Sequence, residues 1–455
     1  MVFASLEFLF LFLPLSLAVC LCCPKRFRNA ALLVLSLVFY AYGEPVFVIL
    51  MLCEIVFNYF IGIGIGKHRG TGSGKVWLTV GVCSDVLMLF VFKYANWIIT
   101  SVSGGDGISW LALPIGISFY TFQIISYLVD VYRGDCIEQR SFVKFGAYIS
   151  MFPQLIAGPI VKYREIADQL DERTVTFSDT AAGLSRFTVG LGKKVLIANA
   201  AGAGYELFVK NGSGTTVSTV FGMLLFSFQI YFDFSAYSDM AIGLGRVLGF
   251  RFNENFNYPY ESASVSEFWR RWHISLSTWF RDYVYIPLGG NRKGAARTVL
   301  NLLIVWTLTG IWHGADITFL LWGLYYGVLI ALEKLFLGGF FAKHRAIGRI
   351  WTLVAVFFGW CLFAGNAAEF ASVMAGVFGA NGFFARADLY DLTRFLPLLA
   401  VCVAGCTHLP EKLYDRVKSS SFVSYASVAL LLAVLFLSTA YIVNDSYNPF
   451  LYFRF

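Results

Sequence analysis

The sequence is short of charge. Only 14% of its 455 residues are Asp, Glu, Lys or Arg, against about a quarter in soluble globular proteins. With 58% hydrophobic and 18% aromatic residues, a soluble domain is excluded as the class. H-E-x-x-H and G-x-S-x-G do not occur, which removes support for zinc hydrolysis and serine-hydrolase chemistry. The nine cysteines stand singly apart from C-L-C-C at 20–23, so no disulfide framework is implied. Cys20 and Cys23 form one C-x-x-C without a second pair, and they read as small membrane-helix residues; no metal site is expected. Tandem repeats, low-complexity tracts and Pro- or Ser-rich linkers are missing as well. One domain over 1–455 is the simplest organisation. G-T-G-S-G-K at 70–75 falls short of a phosphate loop, because Arg69 stands in the place of the first glycine and Val76 in that of Ser or Thr. It is expected to be a flexible basic loop.

What the chain has in abundance is apolar runs of spanning length. They recur at Leu6 to Leu21, Val46 to Ile65, Val76 to Phe92, Val217 to Phe232, Ile317 to Phe336 and Val423 to Val443. This pattern predicts an all-α polytopic membrane protein. The opening M-V-F-A-S-L-E-F-L-F has no basic n-region and no small-residue cleavage site, so it reads as a permanent first helix. The net charge of +7 is modest, and its basic residues cluster in loops, such as Lys25, Arg26 and Arg28, or Lys343, His344 and Arg345. The loops Ser101 to Ser109 and Asn211 to Thr216 hold neither Lys nor Arg. The positive-inside rule then places both termini outside the cytoplasm. No nucleic-acid partner is implied; the bilayer is the expected surrounding.

Between Leu111 and Gly249 the helices are interrupted. Pro114 breaks L-A-L-P-I-G-I-S-F-Y, and Pro153 with Gly158-Pro159 breaks M-F-P-Q-L-I-A-G-P-I. Lipid tolerates such breaks where freed backbone groups face protein or a watery cavity. The segment Arg251 to Arg297 is the most polar of any length. A broken, polar centre within plain helices is the expected arrangement.

The chemistry-bearing residues lie in that polar stretch and after it. T-G-I-W-H-G-A-D-I-T at 309–318 puts His313 between apolar flanks. A buried imidazole loses solvation of its charged form and stays neutral, the state that accepts a proton as a general base. The plainer alternative is a core histidine satisfied by its neighbours. Asp316 orients the ring if the helix continues through Gly314, since positions i and i+3 share a face. His273 sits in F-W-R-R-W-H-I-S-L-S-T-W-F-R-D-Y at 268–283. Read as one helix, this stretch sets Trp272, Leu276 and Trp279 on one side and Arg270, Ser277 and Arg281 on another. Either its arginines bind lipid phosphates, or Arg270, Arg271 and Arg281 hold an anionic, nucleotide-derived donor such as an acyl-coenzyme A while His273 reaches the reacting centre. Asp233, Asp239 and Gln154 either line a cavity or lock helices together, and Trp312 beside His313 joins the candidate binding residues. Glu54 and Asp85 are expected to find partners within the bundle.

The run E-F-W-R-R-W-H-I-S-L-S-T-W-F-R-D-Y-V-Y-I-P-L-G-G-N-R-K-G at 267–294 resembles the signature of the membrane-bound O-acyltransferase superfamily, in its bacterial alginate O-acetyltransferase-like branch. F-P-Q-L-I-A-G-P-I at 152–160, Y-F-D-F-S-A-Y-S-D-M-A-I-G-L-G at 231–245, T-G-I-W-H-G-A at 309–315 and the ending N-P-F-L-Y-F-R-F match the same branch. The resemblance covers essentially the whole chain. It implies about ten to twelve transmembrane helices ringed around a thin centre, with re-entrant or broken helices and a funnel. It further implies His313 as the essential catalytic histidine and His273 as the second active-site position. The expected activity is transfer of acetyl from acetyl-CoA, a donor substrate rather than a bound cofactor, toward an exported polysaccharide. The resemblance also implies a bacterial inner-membrane location and relay to a separate extracytoplasmic SGNH-type acetyltransferase. D-alanyl transfer and lipid or protein acylation stay open within the superfamily; a transporter or flippase is the alternative from another class.

Overall fold

In a computed structural model of the chain, residues 1–103, 108, 113–444, 450 and 451 are described. The loop Ser101 to Ser109 lies mostly outside the described residues, as does the ending N-P-F-L-Y-F-R-F apart from Phe450 and Leu451. Among the described residues the regular elements are all helical. Seven helices are long and apolar enough to cross a membrane: Phe47–Lys67, Gly72–Ser101, Thr216–Val247, Ala295–His313, Ile317–Lys343, Arg345–Phe363 and Ser421–Asn444. Asp388–Gly405 and Leu409–Val417, bent by 71°, make an eighth if taken as one span. Glu7–Cys22 and Ala367–Val377 are apolar but shorter. The expected runs correspond to helices, and Ala295–His313 and Arg345–Phe363 add to them.

The chain divides into two compact units. The first comprises Met1–Thr188, Tyr237–Glu254 and Ile442–Phe453. Its core includes Phe3, Phe8, Phe12, Phe39, Phe152 and Tyr237, with neighbouring ring centroids 4.7 to 6.0 Å apart. Asn58 joins two spans of this unit: its amide donates to Glu54 Oε2 at 3.1 Å and to Asp85 Oδ1 at 2.8 Å. The expected partners of Glu54 and Asp85 are thus present. The basic loop at 70–75 is shorter than expected, because Thr71 caps a helix that already begins at Gly72.

Residues 151–162 follow the helix Phe142–Ser150 without regular structure, and every one of them is buried. Pro153 and Pro159 forbid a continuous helix there. The peptide groups find side-chain partners instead: Phe152 N donates to Ser36 Oγ at 3.1 Å, and Val161 O accepts from Tyr148 OH at 3.0 Å. This is the interrupted segment expected from the prolines, enclosed by protein.

The second unit comprises Val189–Ala236 and Asn255–Tyr441. At its centre Ala295–His313 and Ile317–Leu332 form a tight helical hairpin. Gly310 and Gly323 permit the approach: a Cβ on either would lie 3.1 Å from the other's Cα and collide with a carbonyl of the opposite helix. The hairpin turn falls at Gly314, where the backbone is extended, so His313 is the last residue of its helix.

A candidate active site around two histidines

His273 stands at a helix break rather than on one continuous helix. Val265–Arg271 ends before Trp272, and Ile274–Phe280 begins after His273. Between them His273 takes the left-handed conformation, φ 45° and ψ 56°. A non-glycine residue there costs on the order of 1–3 kcal/mol, so surrounding bonds must hold it. They do: Asn257 N donates to Arg271 O at 2.9 Å, and Ile274 N donates to Asn255 O at 3.0 Å. The single-helix reading of 268–283 is corrected accordingly.

The Asn255 side chain fixes the imidazole as well. Its Oδ1 accepts from Ser275 N at 3.2 Å and Ser275 Oγ at 2.9 Å, and it lies 3.2 Å from His273 Nδ1. An atom that accepts from a backbone N–H is the amide oxygen, so His273 Nδ1 carries the proton and Nε2 presents its lone pair. Burial lowers the pKa of this imidazole from 6.5 to about 3. It is a neutral ring with a fixed tautomer.

Both histidines line one cavity of about 210 Å³. Leu302, Val305, Trp306, Thr309 and His313 line it from one helix, the spacing of a single helical face. From Leu302 to His313 that face is about 16 Å long at the α-helical rise. Trp269, Trp272, Leu276 and Phe280 make the walls apolar, while Arg270 and Arg281 are the cations among the lining residues. Trp312 is buried beside both histidines, its ring 6.2 Å from that of His273 and 5.0 Å from that of His313.

A second cavity of about 590 Å³ shares Ser266, Arg270, Tyr285, Leu302 and Ile330 with the first. Its character is different. Arg270, Lys334 and Arg345 supply positive charge. Its acids already have partners: Glu267 pairs with Arg271 at 2.7 Å, and Glu333 accepts from Val265 N and Ser266 N. Lys334 Nζ donates to Tyr285 OH at 3.3 Å on the shared wall. A cationic chamber sharing a wall with a smaller apolar cavity suits a molecule with an anionic head and a slender, uncharged arm.

The other candidates sit elsewhere. Arg271 is bound to Glu267 and to Asn257 O, and it lines neither cavity. Asp316 caps the following helix, its Oδ1 accepting from Thr318 N and Thr318 Oγ1, both at 2.9 Å. With the helix ending at His313, the face shared at i and i+3 does not form. Asp233 is buried in an ion pair with Lys194 at 2.6 Å, and Asp239 pairs with Arg186 at 2.8 Å. Gln154 belongs to the first unit, where its amide donates to Tyr148 O at 2.8 Å. Reading the sequence missed Asn255, Lys334 and Arg345. Arg345 belongs to a basic cluster that carries a topological message, which hid any second role, and Lys334 stands alone beside Glu333 in an apolar run.

Residues 136–370 match the MBOAT, membrane-bound O-acyltransferase, family. The chain is 40% identical to a probable alginate O-acetylase of Azotobacter vinelandii, over 100% of each chain. A peptidoglycan O-acetyltransferase of Helicobacter pylori is 32% identical over 94% of this chain and 92% of its own. A teichoic acid D-alanyltransferase of Bacillus subtilis is 29% identical, with 49% of this chain and 59% of its own covered.

Proposed function

From the premise that this chain belongs to the membrane-bound O-acyltransferase family, we propose that it moves acetyl from acetyl-CoA toward the hydroxyls of an exported polysaccharide. The chain is a multi-pass membrane O-acyltransferase, and relatives matched along nearly their whole length carry names of polysaccharide O-acetylation. Sugar hydroxyls are the acceptor chemistry those names have in common. The observation that carries the reading is the pair of adjoining cavities, one cationic and one lined by both histidines.

In this proposal the phosphates of acetyl-CoA rest against Arg270, Lys334 and Arg345, and its arm runs along the face from Leu302 to His313. Arg345 and Lys334 replace Arg271 in the phosphate-holding set. The acetyl thioester then lies near the two imidazoles. His313 takes the proton from the acceptor hydroxyl as its oxygen attacks the thioester carbonyl, a contribution of about 10²–10⁴ in rate for a positioned base. The tetrahedral oxyanion collapses, the carbon–sulfur bond breaks, and His313 returns the proton to the departing thiolate. His273, with its lone pair at Nε2, accepts a hydrogen bond and so positions a hydroxyl or amide hydrogen; stabilising the oxyanion would require the other tautomer.

The donor is made in the cytoplasm and the polymer is completed outside. Relay to an extracytoplasmic SGNH-type acetyltransferase joins the two, with the hydroxyl attacking in the membrane belonging to that partner or to an intermediate carrier. The test uses protein in nanodiscs with labelled acetyl-CoA. Release or transfer of labelled acetyl by the wild-type chain, and its loss in a folded His313→Ala variant, is the expected result. Undiminished turnover in that variant overturns the assignment.

A further inference from the structure

Glu333 is an acid inside the span Ile317–Lys343, and it is 2% exposed. A carboxylate in that setting needs donors, and the donors it has chosen are specific. Oε1 accepts from Val265 N at 2.6 Å and from Trp351 Nε1 at 3.1 Å. Oε2 accepts from Ser266 N at 2.8 Å and from Ser266 Oγ at 2.7 Å. One side chain therefore ties the start of the helix Val265–Arg271 to two separate spans, its own and that of Trp351.

The tied point matters because of what it borders. Ser266 and Arg270 belong to the wall common to the cationic chamber and the histidine cavity. The same short helix runs directly into Trp272 and the left-handed His273. We infer that Glu333 is a positioning residue that latches the wall shared by the two cavities and so sets how the donor is gripped on its way to the histidines. The inference rests on the donor route proposed above. A carboxylate suits the task where an amide does not. Both of its oxygens face a backbone N–H, so an NH₂ at either end leaves one peptide donor without an acceptor.

Two readouts test the latch in full-length protein in nanodiscs. The first is steady-state transfer from labelled acetyl-CoA. Glu333→Gln is expected to raise the donor KM about tenfold with kcat at saturating donor changed less than about threefold, because a grip on donor rather than a chemical group is lost. Ser266→Ala, which removes one donor without touching the charge, should move KM the same way by about two- to threefold. The second readout needs no donor. A Thr309→Cys reporter in the cavity is modified by an anionic methanethiosulfonate reagent and followed by peptide mass, so native thiols do not interfere. With the latch removed, modification should accelerate about threefold or more as access to the thiol grows.

If Glu333→Gln fails to fold, Ser266→Ala decides by the same measures. A loss confined to kcat, or KM and labelling rate both within twofold of wild type, overturns the latch. If wild-type protein ignores acetyl-CoA, the donor reading fails and the labelling rate alone judges the latch.

Discussion

Two helix breaks, one in each unit, end differently. At 151–162 the chain leaves a helix, stays irregular for a dozen residues and is buried throughout. Tyr148 and Ser36 supply side-chain partners to its peptide groups, and Gln154 donates back to Tyr148 O of the preceding helix, so the break is sealed by protein. At 272–273 the interruption is brief, a strained histidine between two short helices, and its residues line a cavity. Irregular backbone in a membrane protein has to face either protein or a cavity. The difference is which of the two it faces. The same contrast separates the polar groups of the spans: Asn58 ties Glu54 and Asp85 to each other, whereas His313 borders open volume. An ionisable residue in a span is a functional candidate; the adjoining volume distinguishes a reactive group from a lock.

Mutations at matched positions in the two breaks test this contrast. The largest effect is expected at the open break: His313→Ala should lower acetyl turnover by about 10²–10⁴, while Gln154→Leu at the sealed one should leave kcat within about twofold and lower stability by about 1 kcal/mol. Labelled-acetate release and thermal unfolding in detergent measure the two. Equal losses of activity would erase the distinction. Next comes Asn255→Ala, which frees the tautomer of His273; a fall of about ten- to a hundredfold in kcat is expected, the rate equivalent of about 1.5–3 kcal/mol. Turnover equal to wild type would show that the ring does not need its proton on Nδ1.

Within the sealed region Asn58→Leu should reduce stability by about 1–3 kcal/mol, because two buried carboxyl groups lose a shared donor, with kcat per folded molecule unchanged. A further signal is in pH. The imidazole of His273 titrates at about 3 when folded and 6.5 in the unfolded chain. Below pH 6.5 the unfolded chain binds the proton first. Stability from this group is therefore complete above pH 6.5 and falls toward pH 3, by at most about 1.4 kcal/mol per unit. Unfolding midpoints of His273→Gln between pH 7 and 4 should show a shallower decline than wild type.

The membrane class and the spans were legible in the chain, because lipid rejects charge and a run such as Ile317 to Phe336 has no other comfortable place. So were the proline breaks, since Pro153 and Pro159 cannot continue a helix whatever surrounds them. The pair His273 and His313 was legible through motif resemblance. Their shared cavity was not, for forty residues separate them in sequence and periodicity reports one element at a time. The left-handed turn at His273 was also hidden, because F-W-R-R-W-H-I-S-L-S-T-W has the pattern of an unbroken amphipathic helix. Asp316 misled for a related reason: three residues from His313 means adjacency only while the helix lasts, and it stops at Gly314.

Composition and hydropathy alone determined that this protein is helical and built into a membrane, since those properties follow from transfer of each segment into lipid. Tertiary structure decided which polar groups became internal fastenings and which border space. Asp233, Gln154 and Arg271 acquired partners of their own, while Arg270, Lys334 and Arg345 came to surround a chamber. Such outcomes depend on distances between segments remote in sequence, and hydrogen bonding and charge act only at those distances.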